Sequence, residues 1–309
     1  MRTMAYGKTE LQKRIESGRP ILVVEVSPPR SADPAPIRTA AKTYAGKVHA
    51  LGVSDNRDGV CMSALAAASL VLSEGVEPIL HMVTRDRNRI ALISDGLGAQ
   101  ALGIRNLLCT TGTHQTLGPA RAAKNVFDID SIQLLQTLSD PAVYGSVVGE
   151  NEPEPAVSLC LGATASPFAD PVQLQIMRLG KKVRVGARYL IPQPGFDLER
   201  FSAWWQEVAR CGIRDRTAIL AGIRLLRDAD MARAYAAQRP RPMISETGMV
   251  ERLSSVSGKN AQREVGIEIA AETIQKLSGF AELRGFVIRA DGDEEAALAV
   301  MEKANLGID

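Results

Sequence analysis

The sequence predicts an α/β fold: one (β/α)8 TIM barrel, a single domain with extra helices before its last strand. Three observations lead there. Eight short runs rich in Val, Ile and Leu recur along the 309 residues, each followed by a longer stretch with helical spacing. These runs are almost continuously apolar, as strands are when a parallel sheet is covered on both faces. The competing architecture, a doubly wound sheet, would carry a glycine-rich phosphate loop after its first strand, and VVEVSPPRSAD contains no glycine. No Walker-type lysine loop occurs elsewhere in the chain. Eight strand–helix units also suit a barrel of this length.

In chain order, the strands are read at ILVVEV (21–26), HALGVS (49–54), EPILHMV (77–83), IRNLLCT (104–110), AVSLCLGA (156–163), RYLIPQ (188–193), AILAGI (218–223) and RGFVIRA (284–290). Helical spacing of apolar residues falls between them, at 63–75, 87–103, 128–138, 170–186 and 197–212. Gly75, Gly103 and Gly212 follow three of these helices, where a left-handed residue closes the last turn. Residues 1–19 read as an amphipathic N-terminal helix, and the whole chain, 1–309, as one domain. Two connections exceed what a plain barrel needs. The stretch from Thr111 to Asn125 looks like an active-site loop, and 226–283 holds at least two helices, the first separated from its predecessor by Pro240-Arg241-Pro242.

Composition narrows the function. With 37 Lys+Arg against 35 Asp+Glu, a net charge of +2 and 4% aromatics, the chain lacks the basic excess of a dedicated nucleic-acid binder. No apolar run approaches the ~20 residues of a membrane span. The polar N-terminus has no signal-peptide block, so a cytoplasmic location is expected. Cys61, Cys109, Cys160 and Cys211 are far apart and only His49, His81 and His114 accompany them, so no metal site is expected.

In a barrel, chemistry belongs at the C-terminal ends of the strands. Those ends offer Glu25, Ser54-Asp55-Asn56-Arg57, His81 with Thr84-Arg85-Asp86, Thr110 to His114, Gly162-Ala163-Thr164, Gln193, Arg224 and Arg289. A carboxylate closing an otherwise apolar strand, Val-Val-Glu-Val, is the most informative of them. Burial raises a carboxyl pKa and suits a general acid. The same pattern fits a structural ion pair to an arginine on a neighbouring strand, and pattern alone leaves both open.

Several segments carry a joint resemblance. VEVSPPR, EPILHMVTRDRNR, LGIRNLLCTTGTHQ, GKKVRVGARYLIPQPGFD and RGFVIRA, in this order and spacing from about 20 to 290, resemble the methylenetetrahydrofolate reductases, flavin enzymes on a (β/α)8 barrel. TRDRNR, NLLC and AKNVFDIDSIQLL look most like the subgroup of acetogens and other methyl-group pathways, whose members often pair with an iron–sulfur or zinc protein. The resemblance implies FAD as cofactor and a tetrahydrofolate derivative as substrate. It also implies NAD(P)H or a partner electron-transfer protein as donor, and a homo-oligomer or hetero-complex, with no nucleic-acid or membrane partner.

It further implies roles for single residues. Glu25 would be the general acid protonating N10 of methylenetetrahydrofolate, and Gln193 and Thr113 would meet the substrate. Ser54, His81, Thr111, Gly112, Phe127 and Asp130 would flank the flavin, and Arg178, Lys181 and Lys182, on the helix after strand five, would meet its phosphates and ribose. The plainer readings are a satisfied core histidine for His81, a strand-end cap for Gln193 and a solvated helix face for the three cations. One departure stands out: the family commonly has Gly-Asp at the end of strand four, often after an arginine, and this chain has Thr111-Gly112-Thr113. Two classes of function follow, a flavin-dependent oxidoreductase interconverting 5,10-methylene- and 5-methyltetrahydrofolate, and a non-catalytic or repurposed folate- or flavin-binding barrel within a one-carbon complex.

Overall fold

The computed structural model describes residues 7–140, 143, 145, 158–237 and 247–308. Its parallel strands are β1 (Ile21–Val26), β2 (Ala50–Val53), β3 (Pro78–Val83), β4 (Asn106–Thr110), β5 (Cys160–Ala165), β6 (Tyr189–Pro192), β7 (Ala218–Ile219), β8 (Ala221–Arg224) and β9 (Gly285–Arg289). They run in the order β7-β6-β5-β4-β3-β2-β1-β9-β8. The two ends of that order are one stretch of chain. Ala218 and Ile219 pair with β6, Leu220 intervenes, and Ala221–Arg224 pair with β9. The run read as strand seven therefore changes partner halfway, closing the (β/α)8 barrel. Strand five begins later than read and reaches Ala165; residues 156 and 157 of that reading lie outside the described residues.

The helices among the described residues are α1 (Glu10–Ser17), α2 (Ala35–Tyr44), α3 (Ala64–Ser73), α4 (Arg89–Ala101), α5 (Ser131–Ser139), α6 (Val172–Arg184), α7 (Leu198–Arg210), α8 (Ala229–Ala236), α9 (Thr247–Ser254), α10 (Lys259–Leu277) and α11 (Glu294–Lys303). The connection before the last strand thus holds three helices, α8 to α10; the Pro240-Arg241-Pro242 break lies outside the described residues. Gly75, Gly103 and Gly212 have φ of 80°, 86° and 60°, the left-handed region expected of them. No helix among the described residues is long and apolar enough to cross a membrane.

The alternation of side chains along a strand builds two cores. Leu22, Val24 and Val26 face outward and pack with the helices, Tyr44, Val71, Leu92 and Trp204 among them. Ile21 and Val23 face inward and meet Ala50, Ile79, Leu108, Cys160, Tyr189 and Val287 in the barrel interior. Gly162 makes room for this packing: a Cβ there would stand 2.2 Å from the Tyr189 ring, whose hydroxyl donates to the Leu107 carbonyl at 2.8 Å. Helix α1 plugs the N-terminal end. The Glu77 carboxylate accepts from the Glu10 and Leu11 backbone at 2.7 and 2.9 Å, favourable at a helix N-terminus, and Leu11 is fully buried in the interior core. With one end plugged, the open end of the barrel is the C-terminal mouth.

Candidate active site

The inward rows end at this mouth. Counting by two from Ile21 and Val23 reaches Glu25; from Ala50 and Gly52, Ser54; from Ile79, His81; from Tyr189 and Ile191, Gln193; and from Val287, Arg289. Register seats them side by side, with Glu25 level with Gly52 on one neighbour and with Arg289 on the other. An inner chamber of about 190 Å³ is lined by these residues with Asp55, Arg57, Arg85 and the apolar walls Val83, Leu108, Ile191 and Pro192. An outer cleft of about 390 Å³ runs over the ends of β4 and β5 to α6, lined by Thr111, Ser131, Ser166, Arg178, Lys182 and Trp204 among others. The two share Thr110, Gly112, Thr113, Thr164 and Gln193, so they form one groove with a common wall.

Charge in the chamber is organised around Glu25. Its carboxylate is ion-paired with Arg57, and Arg289 Nε stands 3.8 Å away. Arg57 and Arg289 each also reach Asp291 at 3.1 Å, and Arg224 pairs with the same aspartate while its guanidinium lies 4.8 Å over the Tyr235 ring of α8. Burial and the nearby Arg289 pull Arg57 down to about 10. The ion pair read as one alternative for Glu25 is therefore formed, with two arginines.

His81 lies beneath this network. Burial, reinforced by Arg57 and Arg289, pushes its imidazole down to about 3, so it is neutral at physiological pH. Its Nε2 is buried without a hydrogen-bond partner among the described residues. A Cβ at residue 52 would come within 3.1 Å of that nitrogen, so the glycine of β2 makes room for the ring. Asp55 is 4% exposed, and burial raises its pKa against the opposing pull of Arg87 and the Val83 amide.

The β4 loop is fixed by Arg85. Its guanidinium grips Asp86 through two bonds of 2.7 Å and donates to the carbonyls of Thr113 and Asn56 at 3.1 and 3.0 Å. Gln115 completes the clamp with a 2.8 Å bond to Asp86. Gly112 has φ of 84°, and a Cβ there would meet Val83 Cγ1 at 2.6 Å, so the sharp turn over β3 requires glycine.

In the outer cleft, Lys182 is buried and donates to the Thr164 carbonyl at 2.6 Å. Burial, with Arg178 nearby, lowers its pKa to about 8. Thr111 and Ser131 share a 3.1 Å hydroxyl bond where α5 begins.

Nine of the residues singled out from the sequence line the groove: Glu25, Ser54, His81, Thr111, Gly112, Thr113, Arg178, Lys182 and Gln193. Three do not. Asp130 is the N-cap of α5, its carboxylate accepting from the Ile132 and Gln133 amides at 2.8 and 2.9 Å in a capping box. Phe127 sits at φ of 43°, partly exposed, with its ring 6.1 Å from that of His114. Lys181 points to solvent beside its buried neighbour. Asp55, Arg57, Arg85 and Arg289 stood out only as strand-end residues, without a partner. Trp204, Leu174 and Gln175 also line the cleft, but nothing in helix periodicity separates a groove wall from ordinary core.

Comparison with known proteins agrees with this geometry. The sequence model for methylenetetrahydrofolate reductase matches residues 10–305, nearly the whole chain. The chain belongs to the methylenetetrahydrofolate reductase family. No curated protein matches it. Among solved structures it is similar, at 12% identity and a TM-score of 0.63, to an uncharacterized Clostridium thermocellum protein described as binding two copies of 5-methyl-5,6,7,8-tetrahydrofolic acid. The match covers 95% of this chain and 97% of that one. A putative dihydrodipicolinate synthetase from Pseudomonas aeruginosa also matches, at 12% identity and a TM-score of 0.50, over 92% of this chain and 74% of that one. At these identities the structural likenesses speak for the barrel fold alone, and the family assignment rests on the sequence match.

Proposed function

We infer that this member of the family is a flavin-dependent oxidoreductase that interconverts 5,10-methylenetetrahydrofolate and 5-methyltetrahydrofolate. The observation that carries the reading is the two-part groove: a chamber with apolar walls holding Glu25, His81 and Gln193, continuous with an outer cleft whose buried cation is Lys182. The outer cleft suits FAD. Lys182 and Arg178 supply the positive charge a diphosphate needs, and hydroxyls of Thr111, Ser131 and Ser166 line the space around them. Bound FAD supplies the hydride carrier that neither folate nor any side chain provides.

The chain's own residues do the rest. Val83, Leu108 and Ile191 exclude water around a stacked pterin, and Gln193 offers it a neutral amide. Glu25 handles the proton at N10, as an acid in the reductive direction and as a base in the oxidative one. Its pairing with Arg57 is the carboxylate state, from which the oxidative direction starts. NAD(P)H or an electron-transfer protein would be the partner that supplies or removes electrons.

One observation favours a second reading, a folate-binding barrel without redox chemistry. The wall between the two cavities carries the neutral Thr113, and a neighbour of the same fold is described as holding two methylated folates. Visible absorbance of the purified protein separates the two. The oxidoreductase shows a flavin band near one equivalent, or takes up added FAD to that level. Colourless protein that refuses FAD but binds two equivalents of 5-methyltetrahydrofolate belongs to the second reading. In flavin-loaded protein, Glu25→Gln is expected to slow folate-dependent reoxidation by about 10²- to 10⁴-fold while reduction by a donor is unchanged; undiminished folate turnover refutes the role of Glu25.

A further inference from the structure

Asp55 follows β2 and lines the inner chamber, yet nothing in the mechanism above uses it. Its two oxygens are not equivalent. The Val83 amide, at 2.9 Å, and the Arg87 guanidinium both bond to Oδ2. Oδ1 has no hydrogen-bond partner among the described residues, and it is not among the buried polar atoms sealed from the chamber. Asp55 is only 4% exposed, and this unpaired oxygen is left open to a donor in the chamber. The neighbouring segments hold it firmly. Residues 56 and 113 are bridged by the Arg85 guanidinium, and Arg87 is itself fixed to Asp95 at 2.6 Å. The carboxylate is thus held in orientation, with one oxygen satisfied by protein and the other without a protein partner at the chamber wall.

The remaining chamber walls say what such an oxygen would take. A carboxylate accepts and does not donate, so its ligand must present N–H or O–H groups. Val83, Leu108 and Ile191 favour a ligand with apolar faces between its polar edges. Gln193 provides the chamber with an amide that both donates and accepts. A ring with an amino-substituted edge satisfies all three demands, and the pterin of a reduced folate is one, with its 2-amino group and adjacent ring N–H. The geometry points to Asp55 as a substrate-binding residue whose Oδ1 accepts from the amino-bearing edge of the folate pterin. This rests on the folate reading given above and adds to it the residue that reads that edge.

The experiment uses the full chain and 5-methyltetrahydrofolate as probe, with dissociation constants from calorimetry, alongside the 2-desamino analogue of the same folate. Asp55→Asn is expected to weaken binding of 5-methyltetrahydrofolate by about ten- to a hundredfold, the effect of losing a charge-assisted hydrogen bond in a buried site. The wild-type protein should discriminate against the desamino analogue, and Asp55→Asn should not. Arg87→Met removes the clamp on Oδ2 and leaves Oδ1 in place, so it controls for a merely structural role; affinity within about threefold of wild type is expected. The assignment is overturned if Asp55→Asn binds as wild type does, if Arg87→Met reproduces its loss, or if discrimination against the desamino analogue survives the Asn substitution. A wild-type protein that binds no folate at all removes the underlying functional reading instead, which distinguishes the two failures.

Discussion

Lys182 carries its charge in the folded chain at a cost to stability. Burial holds its ammonium at about 8, against an ordinary value of ~10.4. Below pH 8 the group is charged in the folded and unfolded chain alike, and the folded state bears the whole desolvation penalty. Between pH 8 and about 10.4 the unfolded chain binds more protons than the folded one, so stability rises with pH across that window, by up to about 3 kcal/mol. Lys182→Met should therefore be more stable than the flavin-free wild type at pH 7, lose that advantage towards pH 10.4, and bind FAD less well. Denaturant titrations at several pH values, paired with FAD binding, check all three. Thr113 makes the opposite point. Its carbonyl is held by Arg85 on the wall shared by both cavities, but its side chain brings no charge there. If a fixed negative charge assists a cationic folate intermediate, Thr113→Asp should raise the rate of folate-dependent flavin reoxidation about tenfold or more. A rate equal to wild type in single-turnover measurements would show that charge at this wall does not limit the reaction.

At the scale of elements, caps and turns decide which residues are left for chemistry. The Asp130 carboxylate is engaged by two amides at the start of α5, as an N-cap requires, and it lines neither cavity. Asp130→Ala is expected to lower stability by about 1 kcal/mol in chemical denaturation and to leave FAD affinity unchanged; a selective loss of FAD affinity would instead return this residue to the cofactor. Gly112 is a turn of the same kind, required because β3 packs beneath it. Sequence resemblance marks both positions equally, whereas the structure makes Asp130 a helix cap and sets Gly112 in the wall of the groove. Nine of the twelve residues named from the sequence line that groove: strand alternation and strand-end position, both readable from a row of letters, select Glu25, Ser54, His81 and Gln193, whereas Arg178 and Lys182 on α6 were named through the family resemblance alone. Asp55, Arg57 and Arg289 escaped a role because their meaning lies in partners contributed by other strands, as with Glu25 and Arg57, 32 residues apart in the chain by their numbering.

At the scale of the whole molecule, the helix plug and the candidate site lie at opposite ends of the barrel. Leu11 of α1 is fully buried at the N-terminal end, in the interior core with Ile21, Val23 and Ile79, and lines neither cavity. Leu11→Ala should lower stability by about 2–5 kcal/mol through the cavity it leaves, while kcat of the folded fraction stays near wild type. A large fall in kcat with unchanged stability would contradict that division.

The sequence by itself determined the barrel. Eight apolar runs with interposed helices admit few architectures, because a strand that is apolar on both faces has to be covered on both. It also determined which residues stand at the mouth, because side chains alternate with a period of two. It located the seventh strand but not its pairing, with β6 at one end and β9 at the other, since the partner of a strand is not written in its own residues. Only the tertiary structure decided that Glu25 is held by two arginines, that Asp55 keeps one oxygen free, that Lys182 is buried while Lys181 is not, and that the chamber and the cleft share a wall. Charge pairing and burial depend on distances between segments remote in the chain, and those distances exist only once the barrel has closed.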